Sequence, residues 1–177
     1  DGPVDHLFAL PVLADYIKHN VDVSKVTVVS PDAGRVRVAE KWTDVLGAPL
    51  AIIHKRRDPD VPNQVKMFEV VGDVQDRICV IVDDMIDTGG TIATAAATLK
   101  EFGASEVIVT ATHGIFSPPA RERLQNSDAI TRVVVTDTLP IAHENHFEKL
   151  VVLPSAPLIA KAIREVFTEG SVTRLFD

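Results

Sequence analysis

The sequence predicts a doubly wound α/β domain, a mainly parallel sheet with helices on both faces. Three observations predict it. Six short runs, residues 26–30, 50–54, 78–82, 107–112, 133–136 and 151–153, are apolar almost throughout instead of alternating with polar positions. Strands buried on both faces read this way, because each face needs an apolar residue. Helix-length segments fall between the runs, as crossovers between parallel strands require. Finally, polar groups collect at the ends of the runs, in Ser30-Pro31-Asp32, His54-Lys55, Asp83-Asp84, Thr112-His113-Gly114 and Asp137-Thr138. In an open parallel sheet the carboxyl edge is where ligands bind, so five strand ends carrying chemistry point to a site there.

The elements follow in order. A helix is expected over 11–19 and a strand over 26–30. Asp32 then has two open readings. It caps the next helix, or it is a metal ligand, since Mg²⁺ takes a few carboxylates together with phosphate oxygens and water. In the helix over 34–46, Trp42 with Val38 and Leu46 marks a core-facing side. Gly34, Arg35 and Arg37 have no readable role. After the strand over 50–54 come Lys55-Arg56-Arg57 and the proline-broken stretch from Asp58 to Gln64, a composition that predicts a mobile loop. Taken alone, the three cations read as a solvated charge cluster. Residues 67–72 form a further strand, paired as a hood or hairpin with its neighbour. Helices are expected over 91–102, 118–125 and 157–167, the last with Pro157 in its first turn. His113 reads as a loop histidine with a structural hydrogen bond, and His143-Glu-Asn-His146 as solvated surface.

The chemistry concentrates in Val80-Ile-Val-Asp-Asp-Met-Ile-Asp-Thr-Gly-Gly-Thr-Ile92. A buried strand runs out at Asp83 and Asp84. Asp87-Thr88-Gly89-Gly90-Thr91 then leads into an alanine-rich helix. Glycines let backbone amides approach a ligand, and the helix start favours an anion. An anion cradle beside two carboxylates suits a phosphorylated ligand that also carries hydroxyls or a metal. The competing reading is a tight turn whose glycines relieve sterics and whose Asp87 caps the helix. A Walker A ending and a G-x-G-x-x-G run are both missing.

Bulk properties bound the function. The 177 residues are 46% hydrophobic and 24% charged, a globular composition with length for a core. A net charge of −7, with no basic face to offset it, argues against nucleic acid as a partner. The single Cys79 lies in an apolar strand and reads as a small hydrophobe. No apolar run approaches the length of a membrane span, and a cytoplasmic location is expected. The chain begins Asp1-Gly2-Pro3 without an initiator methionine, which suggests a piece of a longer protein.

The central run resembles the phosphoribosyl-diphosphate (PRPP) loop of type I phosphoribosyltransferases and PRPP synthetases. DGPVDH at 1–6, Ser30-Pro-Asp-Ala-Gly34, Lys55-Arg-Arg57, Val71-Gly-Asp-Val74, Thr112-His-Gly114, Val135-Thr-Asp-Thr-Leu-Pro140 and Ser171-Val-Thr-Arg-Leu-Phe176 extend the likeness over the whole chain, in order. Together they resemble ribose-phosphate diphosphokinase, the PRPP synthetase family. That resemblance implies a phosphoribosyltransferase-like domain over 1–177, the second of two in a longer enzyme, with 157–177 as terminal helix and tail. It implies transfer of the diphosphoryl group of MgATP to the C1 hydroxyl of ribose 5-phosphate, giving PRPP and AMP for nucleotide biosynthesis. Asp87, Thr88, Gly89, Gly90 and Thr91 would hold the 5-phosphate, and Asp83 and Asp84 the ribose hydroxyls. Asp32 would serve Mg²⁺, while Lys55 and Arg57 would be the mobile-loop cations that act on the transferring group. The resemblance thus reverses the reading of those cations. It further implies a homo-oligomer, hexameric in the parent, activated by phosphate and inhibited by ADP, with the 170–176 tail at the effector site. The last helix would cross back to cover the amino-terminal domain. Many members carry a second glycine where Arg35 stands, and the half-length chain is expected to bind substrate without necessarily turning it over. A base-specific phosphoribosyltransferase and a non-catalytic regulatory paralogue are the alternatives.

Overall fold

The computed structural model describes residue 2 and residues 4–57 and 65–176; for 55–57 and 65–68 it describes the backbone. Seven strands form one sheet in the order β3-β2-β1-β4-β5-β6-β7: β1 (Val26–Ser30), β2 (Leu50–Arg57), β3 (Val65–Val71), β4 (Ile78–Ile86), β5 (Glu106–Gly114), β6 (Arg132–Thr136) and β7 (Leu150–Leu153). Every neighbouring pair is parallel except β2 with β3, a hairpin whose register places Lys55 opposite Phe68 and Arg57 opposite Val65. The helices are α1 (Leu10–Asn20), α2 (Val36–Leu46), α3 (Gly90–Glu101), α4 (Ala120–Gln125) and α5 (Ala156–Phe167).

The unbroken apolar runs have the expected cause. Cys79, Ile81, Val107 and Val109 join α3 and α4 in one core layer. Val80, Val82 and Ile108 join α1 and α2 in the other. Alternate residues of one strand thus feed opposite layers, and neither layer can accept a polar side chain without a partner. Burial pushes the Cys79 thiol up to about 12, so it stays a protonated packing residue. Trp42 and Leu46 are core residues as expected, but Val38 is 38% exposed and Ala39 takes the third inward position. In a helix, 39, 42 and 46 share a face more closely than 38 does.

Two strands run further than their apolar patterns. β2 continues through Lys55, Arg56 and Arg57 because β3 supplies backbone partners there, with an irregularity between Arg56 and Arg57. β4 continues through Asp83 and Asp84 to Ile86 because β5 runs beside it, pairing Met85 with His113 and Ile86 with Gly114. α5 is the exception to two-sided coverage. Ala162 is its buried residue, while Ile159, Ile163, Val166 and Phe167 are exposed. The tail turns back as a 3-10 segment, Val172–Leu175, with Val172 buried and Phe176 edge-on to Phe8 at 5.3 Å.

Candidate functional site

The sheet reverses its winding between β1 and β4: β2 and β3 lie on one side and β5 to β7 on the other. At such a switch point the loops after the two strands diverge and leave a crevice. A cavity of about 210 Å³ opens there, lined by Asp32, Arg35 and every residue from Asp83 to Ile92. The structure therefore brings together eight of the expected residues: Asp32, Asp83, Asp84, Asp87, Thr88, Gly89, Gly90 and Thr91.

The floor is the start of α3. Gly89, in the left-handed region at φ 69°, is the residue before the helix, and no side chain caps it. The first helical backbone bond runs from the Ala93 amide to the Gly89 carbonyl at 2.9 Å, downstream of the amides of Gly90, Thr91 and Ile92. Those groups and the helix dipole form an anion cradle. Asp87 does not cap this helix. It stands exposed at the rim with Thr88 and Thr91. Arg123, on α4, donates from Nη1 to the Thr88 carbonyl at 2.5 Å and pins the loop from outside. A Cβ on Gly90 would lie 3.2 Å from the same nitrogen, so glycine lets the arginine approach. Nothing in the sequence near Arg123 signals this role; the α3 to α4 packing creates it.

The wall is acidic. Asp83 and Asp84 lie inside the last turns of β4 rather than beyond it, and the Asp83 side chain is only 15% exposed. Burial pushes its carboxyl up to about 6, although the Asp84 amide, donating to Asp83 Oδ1 at 2.9 Å, and the Arg35 guanidinium pull the other way. Arg35 reaches both acids, with Nε 3.3 Å from Asp83 Oδ1 and Nη2 2.8 Å from Asp84 Oδ2. Asp84 Oδ1 is buried with no hydrogen-bond partner among the described residues.

Asp32 caps the 3-10 turn Ala33–Arg35, its Oδ1 accepting from the amides of Gly34 at 2.8 Å and Arg35 at 3.1 Å. Asp32 thus caps the 3-10 turn that leads into α2 rather than α2 itself, whose start at Arg35 has no side-chain cap, and the same carboxylate lines the crevice. Among the described residues no three His, Cys, Asp or Glu are grouped to hold a metal unaided. The backbone of Lys55 and Arg57 ends β2; their side chains and the segment 58–64 lie outside the described residues. His113 makes the structural bond expected of it, Nδ1 to Thr138 Oγ1 at 2.8 Å. Asp137 accepts from the Ser155 amide at 2.7 Å, which holds its carboxyl below the usual aspartate value. His143 and His146 are exposed, their ring centroids 6.4 Å apart.

Residues 59–177 match the family model of the phosphoribosyl synthetase-associated domain. A ribose-phosphate pyrophosphokinase of Streptomyces coelicolor is 67% identical over 177 residues, covering 100% of this chain and 54% of its own. The chain thus spans about half the length of the curated relatives it matches. The crystal structure of phosphoribosylpyrophosphate synthetase from Mycobacterium smegmatis superposes with a TM-score of 0.85 at 50% identity, over 96% of this chain and 54% of that one. A purine phosphoribosyltransferase from Pyrococcus horikoshii shares the fold, at TM-score 0.50 and 19% identity over 81% of this chain and 79% of that one.

Proposed function

The chain belongs to the phosphoribosyl synthetase-associated domain family, and on that premise we propose that it carries the ribose 5-phosphate site of a cytoplasmic, oligomeric ribose-phosphate diphosphokinase. We place it as the second of two such domains in the whole enzyme. The observation that carries the reading is the juxtaposition at the β1/β4 switch point: an uncapped helix start faces two carboxylates across one crevice. A phosphate fits the amides of Gly90, Thr91 and Ile92 with the hydroxyls of Thr88 and Thr91. Along the same crevice, sugar hydroxyls meet Asp83 and Asp84, whose oxygens accept what hydroxyls donate.

In the proposed reaction the C1 hydroxyl oxygen of ribose 5-phosphate attacks the β-phosphorus of ATP. The bond from that phosphorus to the oxygen bridging to the α-phosphate breaks, AMP leaves, and the hydroxyl proton is lost. The role of the crevice is to hold the sugar so that C1 points toward the β2–β3 hairpin. Lys55 and Arg57, from the end of β2, would neutralise charge that builds on the diphosphoryl oxygens in the transition state. The donor set fits magnesium, because Asp32 offers a hard oxygen ligand and Mg²⁺ takes one or two carboxylates with substrate phosphates and water. Bound there, the ion would supply charge neutralisation at the phosphates. Formation of AMP from ATP and ribose 5-phosphate by the full-length protein tests the reading. Release of AMP dependent on the sugar is the expected result, and no AMP would end it.

A further inference from the structure

Arg35 has a fixed departure point. Asp32 Oδ1 holds the amides of Gly34 and Arg35, so the turn after β1 presents the arginine at the crevice mouth. From there the guanidinium crosses from the β1 side to the β4 side. Its Nε lies 3.3 Å from Asp83 Oδ1 and its Nη2 2.8 Å from Asp84 Oδ2, an ion pair with each acid. Asp83 Oδ1 also accepts the Asp84 amide at 2.9 Å, beside the guanidinium. The guanidinium therefore engages both acids at once, as a pair of sugar hydroxyls would have to. Asp84 Oδ1, buried and unpartnered among the described residues, is an acceptor the arginine leaves unused.

We propose that Arg35 is a latch on the substrate site, holding Asp83 and Asp84 in the ligand-free protein so that an incoming ribose phosphate must displace it. This rests on the ribose 5-phosphate reading above. A cation on the acids keeps the empty wall from carrying two adjacent, partly desolvated charges, and it gives way to a ligand whose hydroxyls satisfy more of the acceptors, Asp84 Oδ1 included. The arginine and Asp84 side chains are each 39% exposed, so the latch is screened and its removal has a modest effect. Arg35→Gln should tighten ribose 5-phosphate binding on the order of three- to tenfold. The gain should shrink as salt rises, because screening already weakens the pair in the wild type.

Calorimetry on the whole protein tests this with two probes, ribose 5-phosphate and inorganic phosphate, on the wild type, Arg35→Gln and Arg35→Lys. The expected pattern is tighter ribose 5-phosphate binding in Arg35→Gln, no tightening for inorganic phosphate, and an intermediate value for Arg35→Lys, which keeps the charge and loses the fork. If the wild type binds ribose 5-phosphate and Arg35→Gln binds it equally or more weakly, the latch is overturned and the site reading stands. If none of the three binds ribose 5-phosphate while inorganic phosphate still binds, both are overturned. Circular dichroism identifies a variant that has not folded, and Arg35→Lys then carries the comparison.

Discussion

Two of the concave surfaces among the described residues have opposite character. The crevice at the switch point, about 210 Å³, is walled by Asp32, Asp83, Asp84 and Asp87 and floored by backbone amides. The groove beside α5, about 370 Å³, is larger and almost wholly apolar, lined by Leu7, Ile159, Ala162, Ile163, Val166 and Phe167 among others. Cavity size therefore does not locate the chemistry. Polar groups held at part burial cost desolvation and are kept where they act on something. An exposed apolar stripe instead signals a surface that another surface covers. On the proposed reading the first region exchanges a small ligand, and the second is covered from water by another surface.

The sharpest way to break that contrast is at the transition state. Lys55→Ala in the full-length enzyme should lower turnover on the order of 10²–10³, the usual cost of one preorganised donor. Binding of ribose 5-phosphate should change far less, since the charge it meets appears mainly during transfer. Steady-state rates set against calorimetric affinities check this; a loss confined to affinity would contradict the assignment.

Asp83→Ala should weaken ribose 5-phosphate roughly ten- to a hundredfold, the worth of a hydrogen bond to a charged group. It should leave thermal stability close to that of the wild type, because it also removes a carboxylate that burial disfavours. Unchanged affinity by calorimetry would take the residue out of the site.

On the apolar side, Ile163 is 63% and Phe167 88% exposed, and each such side chain is worth roughly 1.5–3 kcal/mol when fully buried. The 177-residue chain should self-associate through α5, and Ile163→Glu should shift it toward monomer by about tenfold or more in dissociation constant. Light scattering over a concentration series measures this. A wild-type monomer at high concentration, with α5 amides as protected as those of β4, would show that the stripe needs no cover.

The smallest effect is a pH dependence centred on Asp83. Its folded value of about 6 lies above the ordinary 3.8, so between these values the folded state binds more protons than the unfolded one. Stability should therefore fall as pH rises from about 4 to 6, the reverse of the common aspartate case. Affinity for ribose 5-phosphate should move the other way, rising over the same window as the carboxylate becomes a full acceptor. Denaturation midpoints and calorimetry from pH 4 to 7 check both, and Asp83→Asn should flatten both.

Much of this was legible in the residues alone. The strands could be read because burial on both faces leaves an unbroken apolar run, and the turn into α3 because glycines, threonines and a helix start are all local. The ends of β2 and β4 could not. Lys55 to Arg57 and Asp83 to Ile86 stay extended because a neighbouring strand holds their backbone, a force that sequence pattern near those residues does not carry. Asp83, read as standing where the strand runs out, instead lies within it beside β5, its side chain 15% exposed.

The sequence by itself determined which residues could do chemistry and on which edge of the sheet they would stand, since that depends on strand polarity and on side-chain type. Only the tertiary structure decided how they meet. Arg35 lies on two acids almost fifty positions away, and Arg123 reaches the carbonyl of Thr88 from another helix. Such contacts depend on the order β2-β1-β4-β5 in the sheet and on the packing of α4 against α3. They are set by the burial of the whole core and are written in no segment of the chain.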